Sequence, residues 1–250
     1  MICRFCGVEK TLTKEHVISS WISKLRSFEG GVIVSRRIGD SGDANTFALK
    51  KIDIQVRIVC RKCNGGWMSR LENSTKAFLE PLLEGSSVAL GSEEIKTLAH
   101  WCIKTAISAA HESGYGEILP PVTARQLANG ETPTNVAAWV SRFRDDLTPN
   151  RAVRLLPRRL DCTAENIFVG SMYDFTAAIG PLVVKVVFVP DAIARGMKYL
   201  EFAEPKPLVP VWPIPVEELH WPPDFSYCEA ELVALSFALP GTASPWPNVA

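Results

Sequence analysis

Four of the seven cysteines fall into two Cys-x-x-Cys pairs, Cys3/Cys6 and Cys60/Cys63, with 53 residues between them. Two thiolates three positions apart on a tight turn can both reach one ion at about 2.3 Å, and a second such turn completes a tetrahedron around zinc. Gly7 follows the first pair and Asn64-Gly65-Gly66 the second, so each carries its own turn-former. A redox role would need only one pair. The set Cys3, Cys6, Cys60 and Cys63 therefore predicts a structural zinc site, closed to substrate and without chemistry of its own. Cys102, Cys162 and Cys228 sit in apolar or strand contexts and read as inert core thiols.

Between the pairs lies Glu15-His16, and immediately after the second pair lies Asn64. An imidazole can take a proton near pH 7, while a carboxylate and an amide oxygen are ligands for a hard divalent cation. Taken alone, Glu15-His16 reads equally as a capping carboxylate beside a surface histidine. A zinc staple would bring it close to Asn64.

The elements that must position these groups follow from the pattern. Ser19 or Ser20 can cap a short helix carrying Trp21, Ile22 and Leu25. Val32–Ile38 reads as a strand, residues 39–43 as a turn, and Thr46–Val59 as a long strand or hairpin arm. From Trp67 a helical stripe runs through Met68, Leu71, Thr75, Phe78, Leu79 and Leu82. Ser92 with Glu93-Glu94 starts a helix at about 92–113, and Thr123–Ala128 a short one. Val136–Phe143, Ala152–Leu156, Asn166–Ala178 and Leu182–Val189 read as strands, the last apolar enough to be central. Ten of the 18 prolines lie in 205–247, which predicts extended wrapping with one helix near Cys228–Phe237.

The order of knuckle, Glu-His-Val, hairpin and Cys-x-x-Cys-Asn at a helix start resembles the HNH endonucleases, the zinc-stapled form of the His-Me finger with a ββα-metal fold. The stretch Val59–Glu72 and the helix Leu98–Ala106 further resemble a little-characterised bacterial and phage subfamily. The resemblance covers residues 1–80 specifically, 91 to about 190 faintly, and the proline-rich tail not at all. It implies His16 as general base, Glu15 and Asn64 as ligands of a catalytic magnesium or manganese ion, and Gln55 as the residue that accepts from His16 Nδ1–H and leaves Nε2 free. It also implies a nucleic-acid substrate, DNA in the first instance, and homodimerisation in enzymes that cut two strands. Two departures stand out. Gln55 replaces the usual Asn or His, and the 47 residues between His16 and Asn64 exceed a minimal hairpin. That insertion makes Lys24, Arg26, Arg36 and Arg37 candidate phosphate contacts, although a solvated basic face explains them equally.

Composition bounds the rest. Lys plus Arg equal Asp plus Glu at 27 each, yet residues 1–80 carry a surplus of six positive charges and the remainder the opposite. A basic module on an acidic body is the expectation. No run of 18 apolar residues occurs, so no membrane helix is expected, and the start Met1-Ile2-Cys3-Arg4 lacks a signal-peptide core, which predicts a cytoplasmic protein. The expected architecture is α+β: a zinc-bound HNH-like domain over 1–85, then a helix-plus-antiparallel-sheet accessory domain over 91–250 whose tail is 205–250. The competing reading is a catalytically inactive zinc-stapled module that binds nucleic acid or regulates.

Overall fold

A computed structural model of the chain describes residues 1–37, 45–131, 133–144, 152–164, 167–190, 208–213 and 216–237, without the side chains of 162–164 and 167–169. The architecture is α+β. Strand β1 (Leu12–His16) pairs antiparallel with β4 (Gln55–Cys60), Leu12 opposite Cys60 and His16 opposite Gln55. The register shifts between Thr13 and Glu15, where β4 accommodates one extra residue. Cys60 is still extended (φ −78°, ψ 159°), and the chain turns directly into α1 (Arg61–Cys63), a π turn (Asn64–Met68) and α2 (Ser69–Leu83). The non-helical angles of Gly66 (φ −99°, ψ −107°) kink the entry. Beyond the kink α2 buries Thr75, Phe78, Leu79, Leu82 and Leu83, the side the helical stripe predicts.

The chain between β1 and β4 does more than close a hairpin. Two single 3-10 turns, Ile22–Lys24 and Arg26–Phe28, replace the expected amphipathic helix. The stretch read as one arm from Thr46 to Val59 divides. Strand β3 (Asn45–Leu49) pairs with β2 (Val32–Arg36), while β4 belongs with β1. Ile52 and Ile54, buried between the two strands, carry the chain from one sheet to the other.

An eight-stranded sheet forms the body. It takes in β6 (Val136–Phe143), β7 (Ala152–Ala164), β8 (Ile167–Ile179), β9 (Leu182–Phe188), β10 (Val209–Trp212) and β12 (Ser226–Tyr227). Along its main path the order is β10-β6-β9-β8-β7-β2-β3, with β12 paired to β6. All seven residues of β9 are buried, as its apolar composition requires of a central strand. Pro210 lies in the edge strand β10, where a missing N–H is tolerated. A separate pair joins β5 (Val88–Leu90) to β11 (Leu219–Trp221). The strands over 135–190 pair antiparallel, as expected, and β2 joins β7 in parallel. The expected boundary at residues 85–91 coincides with β5, yet β2 lies in the large sheet and one hydrophobic core runs from Cys3 to Trp221. The N-terminal segment is built into the body.

Helix α3 (Ser92–Glu112) lies at the centre of that core. Every residue from Trp101 to Ala110 is buried, so that stretch has no solvated face. It packs on one side of the sheet, against Tyr173, Phe175, Val184 and Val186. Truncating a side chain such as Leu98 to alanine costs about 2–5 kcal/mol at such a position. A short helix α4 (Pro121–Ala128) follows, and α5 (Glu229–Leu235) covers the other side of the sheet against Leu156, Ala178, Val183 and Val187. Among the described residues no helix is long and apolar enough to cross a membrane.

Candidate metal centre and His16 cleft

The four cysteines converge. Their Sγ atoms all lie within 4.8 Å of one another, and Cys6 Sγ is 3.8 Å from Cys60 Sγ. Four thiolates at about 2.3 Å from one zinc ion stand about 3.8 Å apart along a tetrahedron's edges, so the donor set fits a metal ion such as zinc. The backbone N–H of Cys60 donates to Cys3 Sγ at 3.3 Å, and that of Gly7 to the Cys3 carbonyl at 2.9 Å, the bonds that shape a knuckle. Cys3, Cys60 and Cys63 are buried; Cys6 is half-buried. Burial and the charge of Cys3 push the Cys63 thiol up, whereas at Cys60 burial is outweighed by the Cys63 N–H and the other thiols, which bring it down to about 7. Gathering four thiolates without a cation is costly, and a bound dication removes that cost. Trp67 packs edge-on against the buried Phe5, ring centroids 5.3 Å apart, and so plugs the core beside the cluster.

Glu15 and His16 leave β1 on opposite faces, as adjacent strand residues must. Glu15 points inward and is 5% exposed. Lys104 of α3, fully buried, reaches it at 2.5 Å and reaches Glu72 of α2 at 3.0 Å. Ser19 donates to Glu72 at 2.8 Å and receives the indole N–H of Trp101 at 3.1 Å. Burial alone would lower the pKa of Lys104, but the carboxylates of Glu15 and Glu72 outweigh it and raise it. Glu15 is thus committed to an internal cation.

His16 points the other way, half-exposed, over β4. Gln55 Nε2 lies 3.2 Å from His16 Nε2 and also donates to Asp53 Oδ1, which is itself 3.4 Å from His16 Nε2. Because Gln55 donates to Asp53, its amide nitrogen faces the ring, so neutral His16 accepts at Nε2. The expectation that Gln55 holds Nδ1 and leaves Nε2 free is therefore corrected: in the His16–Gln55 pair the ring is turned over. Asp53 is the member that sequence reading missed. Its only signal is a carboxylate two residues before Gln55 at the mouth of β4. The hydrogen bond from Gln55 holds Asp53 below the usual carboxylate range. Asp53 and Gln55 line an open cleft of about 460 Å³ with Lys14, Arg36, Phe47, Leu49, Ile54 and Glu112.

Asn64 donates from its amide nitrogen to Thr13 Oγ1 at 3.1 Å and to the Lys14 carbonyl at 3.0 Å, so the helix entry is pinned to β1. The basic residues scatter. Lys24 and Arg26 are exposed, Arg36 pairs with Glu112, and Arg37 is 4% exposed. Arg37 is therefore withdrawn from the surface a nucleic-acid backbone could touch, because the chain leaving β2 carries it beneath the Phe237 ring.

Comparison with protein-family models, with curated proteins and with solved structures finds no match to this chain.

Proposed function

We propose that this chain hydrolyses phosphodiester bonds of nucleic acid, DNA in the first instance, as an HNH-type nuclease stapled by zinc on Cys3, Cys6, Cys60 and Cys63. The observation that carries the reading is the pairing of His16 on β1 with Gln55 on β4, on a strand that runs through the second cysteine pair into a helix. With Asp53 alongside, the imidazole has a carboxylate to stabilise it once it has taken a proton, and its neighbours Asp53 and Gln55 line a cleft with Lys14 and Arg36 on its walls. Water attacks the phosphorus, Gln55 gives up its hydrogen bond to His16 Nε2 so that this nitrogen takes the water's proton, and the bond to the leaving oxygen breaks, that oxygen taking a proton from solvent. Lys14, Lys24 and Arg26, all exposed, would meet backbone phosphates in this reading.

The magnesium or manganese ion that the resemblance implies does not fit Glu15 and Asn64 as a pair. Glu15 is turned into the core on Lys104. The same observation favours the second reading, a zinc-stapled module that binds nucleic acid without cutting it. A nicking assay on plasmid DNA, run with magnesium, with manganese and with chelator beside His16→Ala, separates the two: the nuclease reading expects cleavage that His16→Ala abolishes. A protein that binds DNA without cutting it is the module.

A further inference from the structure

Among the described residues, Arg37, 4% exposed, has no acceptor for Nε or Nη1, and Arg158 Nε is likewise buried without one. A buried donor left unpaired costs about 1–3 kcal/mol. Both guanidinium groups lie against one ring: the Phe237 centroid is 4.7 Å from Arg37 Cζ and 5.3 Å from Arg158 Cζ.

Of the acceptors nearby, Asp174 Oδ2 and the Leu235 and Phe237 carbonyls are engaged, while Asp174 Oδ1 faces Lys185 as an ion pair without a hydrogen bond. Asp174 receives Lys185 at 2.7 Å and Arg158 Nη2 at 3.4 Å. The Leu235 carbonyl receives Lys185 at 2.9 Å, and the Phe237 carbonyl receives Arg158 Nη2 at 3.1 Å. Three basic groups thus face one carboxylate where β2 ends and the β7–β8 arm runs on past it. Burial, and then the like charge of Arg158, act against the charge of Arg37. An anion is the missing component, because it supplies acceptors and offsets the surplus charge together.

We propose that Arg37 and Arg158 form a binding site for a small oxyanion, an inorganic phosphate or the terminal phosphate of a small molecule, beneath the half-exposed ring of Phe237. The site lies apart from the His16 cleft and does not depend on the nuclease reading. Arg158 keeps its side chain 15% exposed and marks the way in. The phosphates along a nucleic-acid strand are too encumbered to reach a guanidinium group as covered as that of Arg37.

The test is a calorimetric titration of the full chain with inorganic phosphate at constant ionic strength, chloride being the reference anion. Saturable binding of phosphate and not of chloride is expected, weakened at least about tenfold by Arg37→Met and by Arg158→Met and unchanged by Arg142→Met, a substitution of an exposed arginine on β6. Phosphate binding no stronger than chloride, or binding that both Met variants retain, overturns the proposal. A single-stranded oligonucleotide forms a second arm, and binding of it that depends on Arg37 also overturns the proposal. Should either variant fail to fold, the side-chain Nε–H resonances of the wild type decide. Phosphate is expected to shift two of them at saturation, and resonances that stay in place contradict the site.

Discussion

The ammonium group of Lys104 lies 2.5 Å from the carboxylate of Glu15, although 88 residues separate them and both are closed off from solvent. This contact ties β1 of the N-terminal module to the central helix α3. It also takes Glu15 out of the position in which a catalytic cation would need it.

Breaking that contact from one side leaves buried charge without a partner. Lys104→Met should lower stability by about 3–5 kcal/mol in urea unfolding. Adding Glu15→Gln and Glu72→Gln to it should restore a large part of the loss, because no unpaired charge then remains inside. A triple variant as unstable as the sum of its parts would show that packing, not charge, dominates there.

The cysteine cluster predicts about one zinc per chain by elemental analysis. Cys60→Ser should lose the metal together with the order of the first 80 residues, since structural zinc contributes folding free energy directly. A metal-free protein that stays folded after chelation would remove the staple from the account.

A third expectation concerns acid. Burial, with Arg4 adding to it, pushes His111 down to about 4, so the folded state holds this ring neutral while an unfolded chain protonates it near 6.5. Between those values the unfolded state binds the extra proton. The contribution is complete above about pH 6.5 and is lost as pH falls towards 4. His111→Gln should therefore lose less stability than the wild type between pH 6.5 and 4 in matched urea unfolding curves. Parallel losses would assign the acid sensitivity to other groups.

Asp53 and Gln55 act on His16 without being the base. Asp53→Asn should slow cleavage by about tenfold, well short of the effect of losing His16, while leaving zinc content and the unfolding midpoint unchanged. Wild-type rates in Asp53→Asn would leave that carboxylate without a part in the site.

What could be read in advance is what depends on near neighbours. Cys3/Cys6 and Cys60/Cys63 announce themselves by spacing, β9 by an apolar run broken only by Lys185, and α3 by its acidic first turn and its length. The partners of Glu15 and Arg37 depend on chain pairing at long range. Lys104 lies in a helix that mixes apolar and polar residues, and nothing local says that it turns towards β1. Arg37 reads as a surface cation until β2 is placed in parallel beside β7 and Phe237 arrives from the far end of the chain. Asp53 belongs to no spacing rule and enters only through the β1–β4 register.

The central claim is that His16 is a base working on phosphodiester bonds, and it is most directly measured as the rate of plasmid nicking by zinc-loaded protein beside zinc-loaded His16→Ala. Cleavage by the wild type, lowered roughly 10²–10⁴-fold by the substitution at unchanged zinc content and DNA affinity, is the predicted result. A wild type that cuts no nucleic acid, or a His16→Ala protein that cuts as fast as the wild type, would contradict it.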